Sequence, residues 1–159
     1  MESKAKVLGH PLHQMLIVFP LGLLATGVVF DAIYLASDNP TMSTVSYWMI
    51  VSGILTGLAA AVPGWIDWLA IPGGTRAKRI GLVHGLGNVL VLLLFIGSWV
   101  LRRDLPEQPE TAALVLSFAG AGISLLTAWL GGELVDRLGV GVDDGAHLNA
   151  PNSLTHKKV

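Results

Sequence analysis

The sequence has no cysteine among its 159 residues, and only 13% of its residues are charged. The missing cysteine excludes disulfides, zinc–thiolate sites, iron–sulfur clusters and thiol catalysis. A soluble domain carries about 25% charged residues, so roughly half of the usual charge is absent. The net charge of −1 gives no reason to expect a nucleic-acid partner. What remains is mainly apolar: hydrophobic residues make up 52% of the chain.

Four long apolar runs dominate the chain, at about residues 13–36, 46–71, 80–101 and 111–138. Each approaches the ~20 residues that a helix needs to cross the hydrocarbon core of a bilayer. The short polar connections between them make neighbouring helices antiparallel. The sequence therefore predicts an all-α membrane protein, a four-transmembrane-helix up-down-up-down bundle in residues 13–141. We expect residues 1–12 to form a cytoplasmic segment. Residues 142–159, which include His147 and His156, are expected to form a polar, flexible cytoplasmic tail.

Basic residues are divided unequally between the two ends of this predicted bundle. Eight Lys and Arg residues fall on the side of both termini and the middle connection, whereas Arg102 and Arg103 fall on the other side. Short cytoplasmic loops are enriched in Lys and Arg. The pattern thus predicts a multi-pass protein of the bacterial cytoplasmic (inner) membrane with both termini in the cytoplasm.

The two halves of the chain look alike. His13 opens the first span and His84 lies near the start of the third, while Asp67 and Asp136 lie near the ends of the second and fourth. The intervals are similar, 67 − 13 = 54 and 136 − 84 = 52 positions. Because each half has two spans, both halves would enter the membrane in the same direction, as parallel repeats about an axis along the membrane normal do. We therefore expect a duplicated two-helix unit.

Polar residues of the spans collect at the predicted cytoplasmic end. Ionisable groups at membrane depth are costly and by default face the bundle interior. The first and third helices are diagonal in an up-down bundle, so their histidines would meet as an axial pair for haem b. Nearby glycines would leave space for the flat macrocycle, and nearby arginines would meet its propionates. The predicted haem-binding residues are His13, His84, Gly85, Asn88, Arg76 and Arg79.

A metal ion is the alternative ligand of the same cluster. Histidines at i, i+3 and neighbouring carboxylates would supply nitrogen and oxygen ligands suited to zinc or iron. The predicted metal ligands are His10, His13, Asp67, His84 and Glu133. A third alternative is a cofactor-free accessory or structural subunit, in which the histidines only form hydrogen bonds between helices.

Asp31 lies near the opposite end of the first span. It follows His13 by 18 positions, about five helical turns, so both share one face, which is predicted to be interior. We expect a capped helix end near the outer interface; a proton path or a quinone contact are the alternatives.

Three separated motifs give a specific resemblance to a known family. They are Gly9-His10-Pro11-Leu12-His13 with Phe19-Pro20, then Val62-Pro63-Gly64-Trp65-Ile66-Asp67, then Gly131-Gly132-Glu133-Leu134-Val135 with Gly139-Val140-Gly141-Val142. Through them, residues 9–143 resemble the bacterial membrane family known as domain of unknown function 2231. Some relatives are fused to Rieske iron–sulfur or quinoprotein dehydrogenase domains, which implies a membrane redox role for this chain. The electron partner would then be a quinone or a redox protein. A homo-oligomer is compatible with this role.

The chain departs from the family pattern at one place. Relatives often read Leu-Val-Tyr-Arg-His-Gly where this sequence reads Leu134-Val135-Asp136-Arg137-Leu138-Gly139. If the histidine of relatives is a ligand, the resemblance implies that this chain holds fewer cofactors than they do, or none.

Overall fold

The structure is a computed structural model that describes residues 1–155. Its elements are, in chain order, β1 (Lys6–Val7), β2 (His10–Pro11), α1 (Leu12–Leu16), α2 (Val18–Ser37), α3 (Pro40–Ala70), α4 (Arg76–Arg102), α5 (Thr111–Gly132) and a π-helix (Glu133–Arg137). The two short strands pair as an antiparallel hairpin before the first long helix. The prediction for His156 falls outside the described residues.

Four stretches within the described residues are long and apolar enough to cross a membrane. They are Leu12–Ser37, Pro40–Ala70, Arg76–Arg102 and Thr111–Arg137, with mean hydropathies from 1.8 to 2.2. Many large apolar side chains on their outer faces are exposed; Leu125, for example, is 71% exposed and Trp65 64%. A soluble monomer rarely exposes so much contiguous apolar surface, whereas a bilayer covers it with lipid. The four-helix membrane bundle predicted from the sequence is confirmed.

The helices begin where the sequence supplies capping residues. Asn39 accepts a hydrogen bond from the backbone of Thr41 at the start of α3, where Pro40 occupies the first helical position. Thr75 accepts one from the backbone of Lys78 at the start of α4. Such caps satisfy amide donors that have no partner within the helix. For this reason α3 and α4 start several residues before the apolar runs that predicted them.

The packing repeats between the two halves of the chain. Leu24 of α2 lies against Gly53 of α3, where an added Cβ would be 2.5 Å from the leucine side chain. Phe95 of α4 lies in the same way against Gly120 of α5, where an added Cβ would be 2.9 Å from the ring. The first helices correspond at an offset of 95 − 24 = 71 residues and the second helices at 120 − 53 = 67. The protein is thus built from two similar helical hairpins, α1–α3 and α4–α5, as the sequence predicts.

One correspondence predicted between the halves is wrong. At the offset of 67, Asp67 matches Leu134 and not Asp136. Asp67 and Leu134 are both buried, whereas Asp136 is exposed. Asp136 lies in the π-helix, whereas the equivalent residues of the first half, at the offset of 67, belong to α3, so the ends of the two hairpins differ in structure.

The core lies between the two hairpins at mid-height of the bundle. Its buried members come from α2, α3 and α4: Leu24, Ile50, Ile54, Val91 and Phe95. Polar groups inside the bundle therefore fall into two layers, one on each side of this apolar core.

Candidate functional site

His13 of α1 and His84 of α4 face each other at the end of the bundle that carries the amino terminus, here called the histidine end. Their ring centroids are 6.3 Å apart and their planes meet at 87°. Nδ1 of His13 lies 2.8 Å from the carbonyl oxygen of Ala60, and Nδ1 of His84 lies 2.9 Å from that of Thr127. A carbonyl oxygen only accepts, so each Nδ1 carries the proton and donates it. Each Nε2 therefore keeps its lone pair.

Each imidazole rests on a glycine of the neighbouring helix in its own hairpin. A Cβ added to Gly64 would lie 2.7 Å from Nδ1 of His13, and one added to Gly131 would lie 3.2 Å from Cε1 of His84. The histidines differ by 84 − 13 = 71 positions and the glycines by 131 − 64 = 67, the offsets of the repeat. The two halves thus supply one imidazole each, held by the same type of contact.

The two rings differ in their second neighbours. Asn88 donates from Nδ2 to the carbonyl oxygen of His84 at 2.9 Å, and the same nitrogen lies 3.2 Å from Nε2 of that ring. Thr127 donates from its hydroxyl to Oδ1 of Asn88 at 3.1 Å. At an offset of 71, Ile17 stands where Asn88 stands in the second half. Within residues 1–155, Nε2 of His13 forms no hydrogen bond.

The remaining residues predicted for haem lie around the start of α4. Gly85 is exposed, and an added Cβ there would meet no atom within 4 Å. Arg76 pairs with Glu133 at 2.7 Å while its side chain stays 55% exposed. Arg79 is exposed, and it forms no ion pair with any residue of the described chain. Both arginines precede His84 by one to two helical turns or slightly more, at the surface of the histidine end.

Asp67 binds the amino-terminal segment. Its carboxylate oxygens accept hydrogen bonds from the Ser3 hydroxyl, at 2.7 and 2.9 Å. They also accept hydrogen bonds from the backbone amides of Lys4, at 2.6 Å, and Ala5, at 3.2 Å. These bonds use the carboxylate oxygens that the predicted metal site needs. They also hold the segment before β1 against the end of α3.

The five predicted metal ligands do not form one site. His10 is exposed, with Nε2 3.4 Å from the Ser153 hydroxyl, and Glu133 is engaged by Arg76. No three His, Cys, Asp or Glu side chains within residues 1–155 come close enough to hold one metal ion. Of the predicted set, the structure brings together His13 and His84.

A buried ion pair, which the sequence reasoning missed, occupies the other end of the bundle, here called the ion-pair end. Nη1 and Nη2 of Arg102 lie 2.8 and 3.2 Å from the carboxylate oxygens of Asp31, and both side chains are 0% exposed. The guanidinium also donates to the hydroxyls of Ser46 at 3.2 Å and Ser98 at 2.9 Å. Ser117 donates to Asp31 at 2.7 Å. Helices α2, α3, α4 and α5 all contribute to this cluster.

Two expectations from the sequence are corrected here. Asp31 does not cap a helix end, because α2 continues to Ser37 and the carboxylate points into the bundle. Arg102, which the predicted span of residues 80–101 leaves in the connection, is the last residue of α4 and only 1% exposed. The signal that could have found the pair is the repeat itself, since 102 − 31 = 71 is also the interval between the histidines.

The distance between the two rings at the histidine end is close to the spacing of two imidazoles that bind one ion. Imidazole nitrogens bind metals at about 2.0–2.1 Å, so two rings on opposite sides of one ion have centres roughly 6 Å apart. The observed separation is 6.3 Å. Ligating histidines usually donate their other ring N–H to a carbonyl or carboxylate, as both do here.

Comparison with known proteins gives one match. Residues 9–144 match the family described as "Predicted membrane protein (DUF2231)". No curated protein and no solved structure matches the chain. The matched range includes both histidines, the ion pair and all four spans, and it confirms the family resemblance drawn from the three motifs.

Proposed function

The chain belongs to this family of predicted membrane proteins, and we propose that it binds one haem b between His13 and His84 and takes part in membrane electron transfer. The observation that carries the proposal is the opposed pair of imidazoles, 6.3 Å apart, with both Nδ1 protons held by backbone carbonyls. Anchoring Nδ1 fixes the orientation of each ring and makes Nε2 the atom that would bind the iron; at His84 this atom would exchange its contact with Nδ2 of Asn88, 3.2 Å away, for the iron.

The number of available ligands favours haem over a bare metal ion. A structural zinc ion takes four protein ligands and a catalytic one about three. The histidine end offers two imidazoles, and no third His, Cys, Asp or Glu of residues 1–155 joins them. Haem brings four nitrogens of its own and needs only the two axial ligands.

The chain would supply binding, orientation and exclusion of water. His13 and His84 would hold the haem iron, Gly85 leaves its side of α4 open, and Arg76 and Arg79 would bind the propionates by charge-assisted hydrogen bonds. When bound, haem would supply one-electron chemistry, and the surrounding apolar helices would keep it in a low-dielectric site. We propose a quinone in the bilayer or a redox protein as electron partner, and association of the chain with itself is compatible with either.

The test is the visible spectrum of the protein purified in detergent, with metal analysis of the same sample. We expect a Soret band at one haem per chain that disappears in both His13→Ala and His84→Ala. His10→Ala is the matched control: its imidazole is exposed and outside the pair, so the band should persist.

Three outcomes would contradict the proposal. A colourless protein with one equivalent of zinc or iron would favour a metal site. A colourless protein without metal, from cells whose other b-type cytochromes are loaded, would favour the accessory subunit. Loss of the band in His10→Ala to the same degree as in His84→Ala would mean that the pair is not the site.

The orientation is a second part of the proposal. Arg102 is buried in the ion pair, so Arg103 is the one exposed basic residue that the described chain carries at the ion-pair end. This sharpens the charge asymmetry that favours cytoplasmic termini in a bacterial inner membrane. Because the chain lacks cysteine, single Gly73→Cys and Glu107→Cys variants can be labelled in intact cells. A membrane-impermeant maleimide should react with position 107 and not with position 73; the reverse pattern would contradict this orientation.

A further inference from the structure

Three pairs of repeat-equivalent residues lie between the two hairpins, one pair at each end of the bundle and one in its core. His13 and His84 face each other, Leu24 and Phe95 share the core cluster, and Asp31 and Arg102 form the buried ion pair. The two members of each pair are 71 positions apart in the sequence. A pseudo-twofold axis between the hairpins therefore passes between the members of each pair.

If the two hairpins were identical, the two members of each repeat-equivalent pair would be the same residue. We infer that the opposite charges at positions 31 and 102 make the interface between the hairpins selective, so that the inner face of each hairpin accepts the other hairpin and rejects a second copy of itself. The partner that each face fits is a helical hairpin carrying the opposite charge at the same repeat position.

The selectivity follows from burial. Both side chains are 0% exposed, so two carboxylates or two guanidinium groups there would face each other without water or counter-charge. In lipid, apolar surface gives helices little drive to associate, and packing and polar contacts decide which faces pair. A like-charge pairing would lose these polar contacts and add repulsion.

The serines around the pair show how the second half is adapted to hold arginine. Ser98 accepts from Nη2 of Arg102 and donates to the carbonyl oxygen of Ala113 at 2.7 Å. The repeat-equivalent of Ser98 is Gly27, and that of Ala113 is Ser46. A Cβ added to Gly27 would lie 3.5 Å from the carbonyl oxygen of Ser46. The first half therefore lacks the one hydroxyl that, in the second half, supports the arginine.

The test exchanges the charges in the full-length protein and follows thermal unfolding in detergent. Arg102→Asp and Asp31→Arg alone should each lower the melting temperature by roughly 6–20 °C. The exchange Asp31→Arg/Arg102→Asp should recover part of this loss. Adding Gly27→Ser to the exchanged pair should recover more, because a serine at position 27 would accept from the new arginine as Ser98 does. The matched control is Gly22→Ser on the same helix, where a Cβ meets no neighbour within 4 Å.

The sign of the Gly27→Ser effect decides the inference. In the wild-type background no arginine stands at position 31 to bond this serine, and its Cβ would lie 3.3 Å from Ile50. Gly27→Ser should therefore leave the melting temperature of the otherwise wild-type protein unchanged or lower it. In the protein with exchanged charges, Gly27→Ser should raise the melting temperature, whereas Gly22→Ser should not. An exchanged pair no better than the single variants, or a Gly27→Ser effect of the same sign in both backgrounds, would overturn the equivalence. The readout does not depend on haem, so it stands apart from the proposed function.

Discussion

The histidine end and the ion-pair end occupy the same helices, 18 positions apart, and at each end the two halves of the chain meet through equivalent residues. At the ion-pair end unlike residues meet: Asp31 and Arg102 neutralise each other, and three serine hydroxyls complete the cluster. At the histidine end like residues meet. The rings of His13 and His84 are each bound through Nδ1, and Nε2 of His13 has no partner among the described residues.

The two ends show two kinds of polar contact inside one membrane bundle. A charge that is matched and fully buried holds helices together, and the remaining unpartnered buried atom of the described ion-pair cluster, Nε of Arg102, is a small exception. The two imidazoles do not bond each other: Nε2 of His84 contacts Nδ2 of Asn88, and Nε2 of His13 has no partner within residues 1–155. The first arrangement is complete within the bundle, whereas the second leaves one ring nitrogen, Nε2 of His13, without a partner in the described chain.

Removal of one partner of the ion pair should have the largest effect. Asp31→Leu leaves the guanidinium of Arg102 buried without a counter-charge, which typically costs about 3–5 kcal/mol of unfolding free energy. Asp31→Leu/Arg102→Leu should recover most of that loss, because no buried charge remains and Ser98 and Ser117 keep backbone acceptors. Unfolding in detergent measures both.

Arg103→Leu is the control for this prediction, since that side chain is 59% exposed. If Asp31→Leu were no more destabilising than Arg103→Leu, the ion pair would not hold the bundle together. If the double variant were as unstable as the single one, the shape of the cluster would matter more than its charge.

The second prediction concerns how closely each glycine supports its imidazole. Gly64→Ala adds a Cβ 2.7 Å from Nδ1 of His13 and must displace the ring from the carbonyl of Ala60. Loss of such an anchoring bond typically costs about 10–100-fold in metal affinity, and we expect a loss in this range for haem. Gly131→Ala, with 3.2 Å to the ring of His84, should cost less.

Haem titration of the purified variants measures this difference, with the melting temperature of the haem-free protein as the control. Alanine favours the helix, so neither substitution should unfold the bundle. Equal affinity in Gly64→Ala and the wild type would show that His13 does not bind the cofactor in the orientation observed here. An effect of Gly131→Ala larger than that of Gly64→Ala would reverse the expected order.

Much of the fold follows from the sequence because lipid imposes simple requirements. Apolar length fixed the four spans, and short connections fixed their up-down order. That order alone makes the first and third helices diagonal, which is why the meeting of His13 and His84 could be predicted and is observed. Whether a cofactor lies between them stays a prediction.

The ion-pair end could not be predicted in the same way. Arg102 stands next to Arg103 and Asp104, so the local composition predicts an exposed loop. In the structure α4 extends one residue beyond the predicted span, and Arg102 therefore lies inside the bundle. The partners of Asp67 could not be predicted for another reason. Its partners are the Ser3 hydroxyl and two backbone amides of a segment with no apolar period or motif, and such contacts leave no pattern in the sequence.

Two serine variants separate the two ends most sharply. Ser117→Ala removes a 2.7 Å hydrogen bond to the Asp31 carboxylate, and bonds to charged groups contribute about 1.5–3 kcal/mol. Ser46→Ala removes a longer bond, 3.2 Å, to Arg102 and should cost less. Both should lower the melting temperature in that order and leave haem affinity at the histidine end unchanged, because the apolar core lies between the two layers. A change in haem affinity in either variant would mean that the two ends are coupled through α2 and α4, and that the ion pair positions the histidines as well as stabilising the bundle.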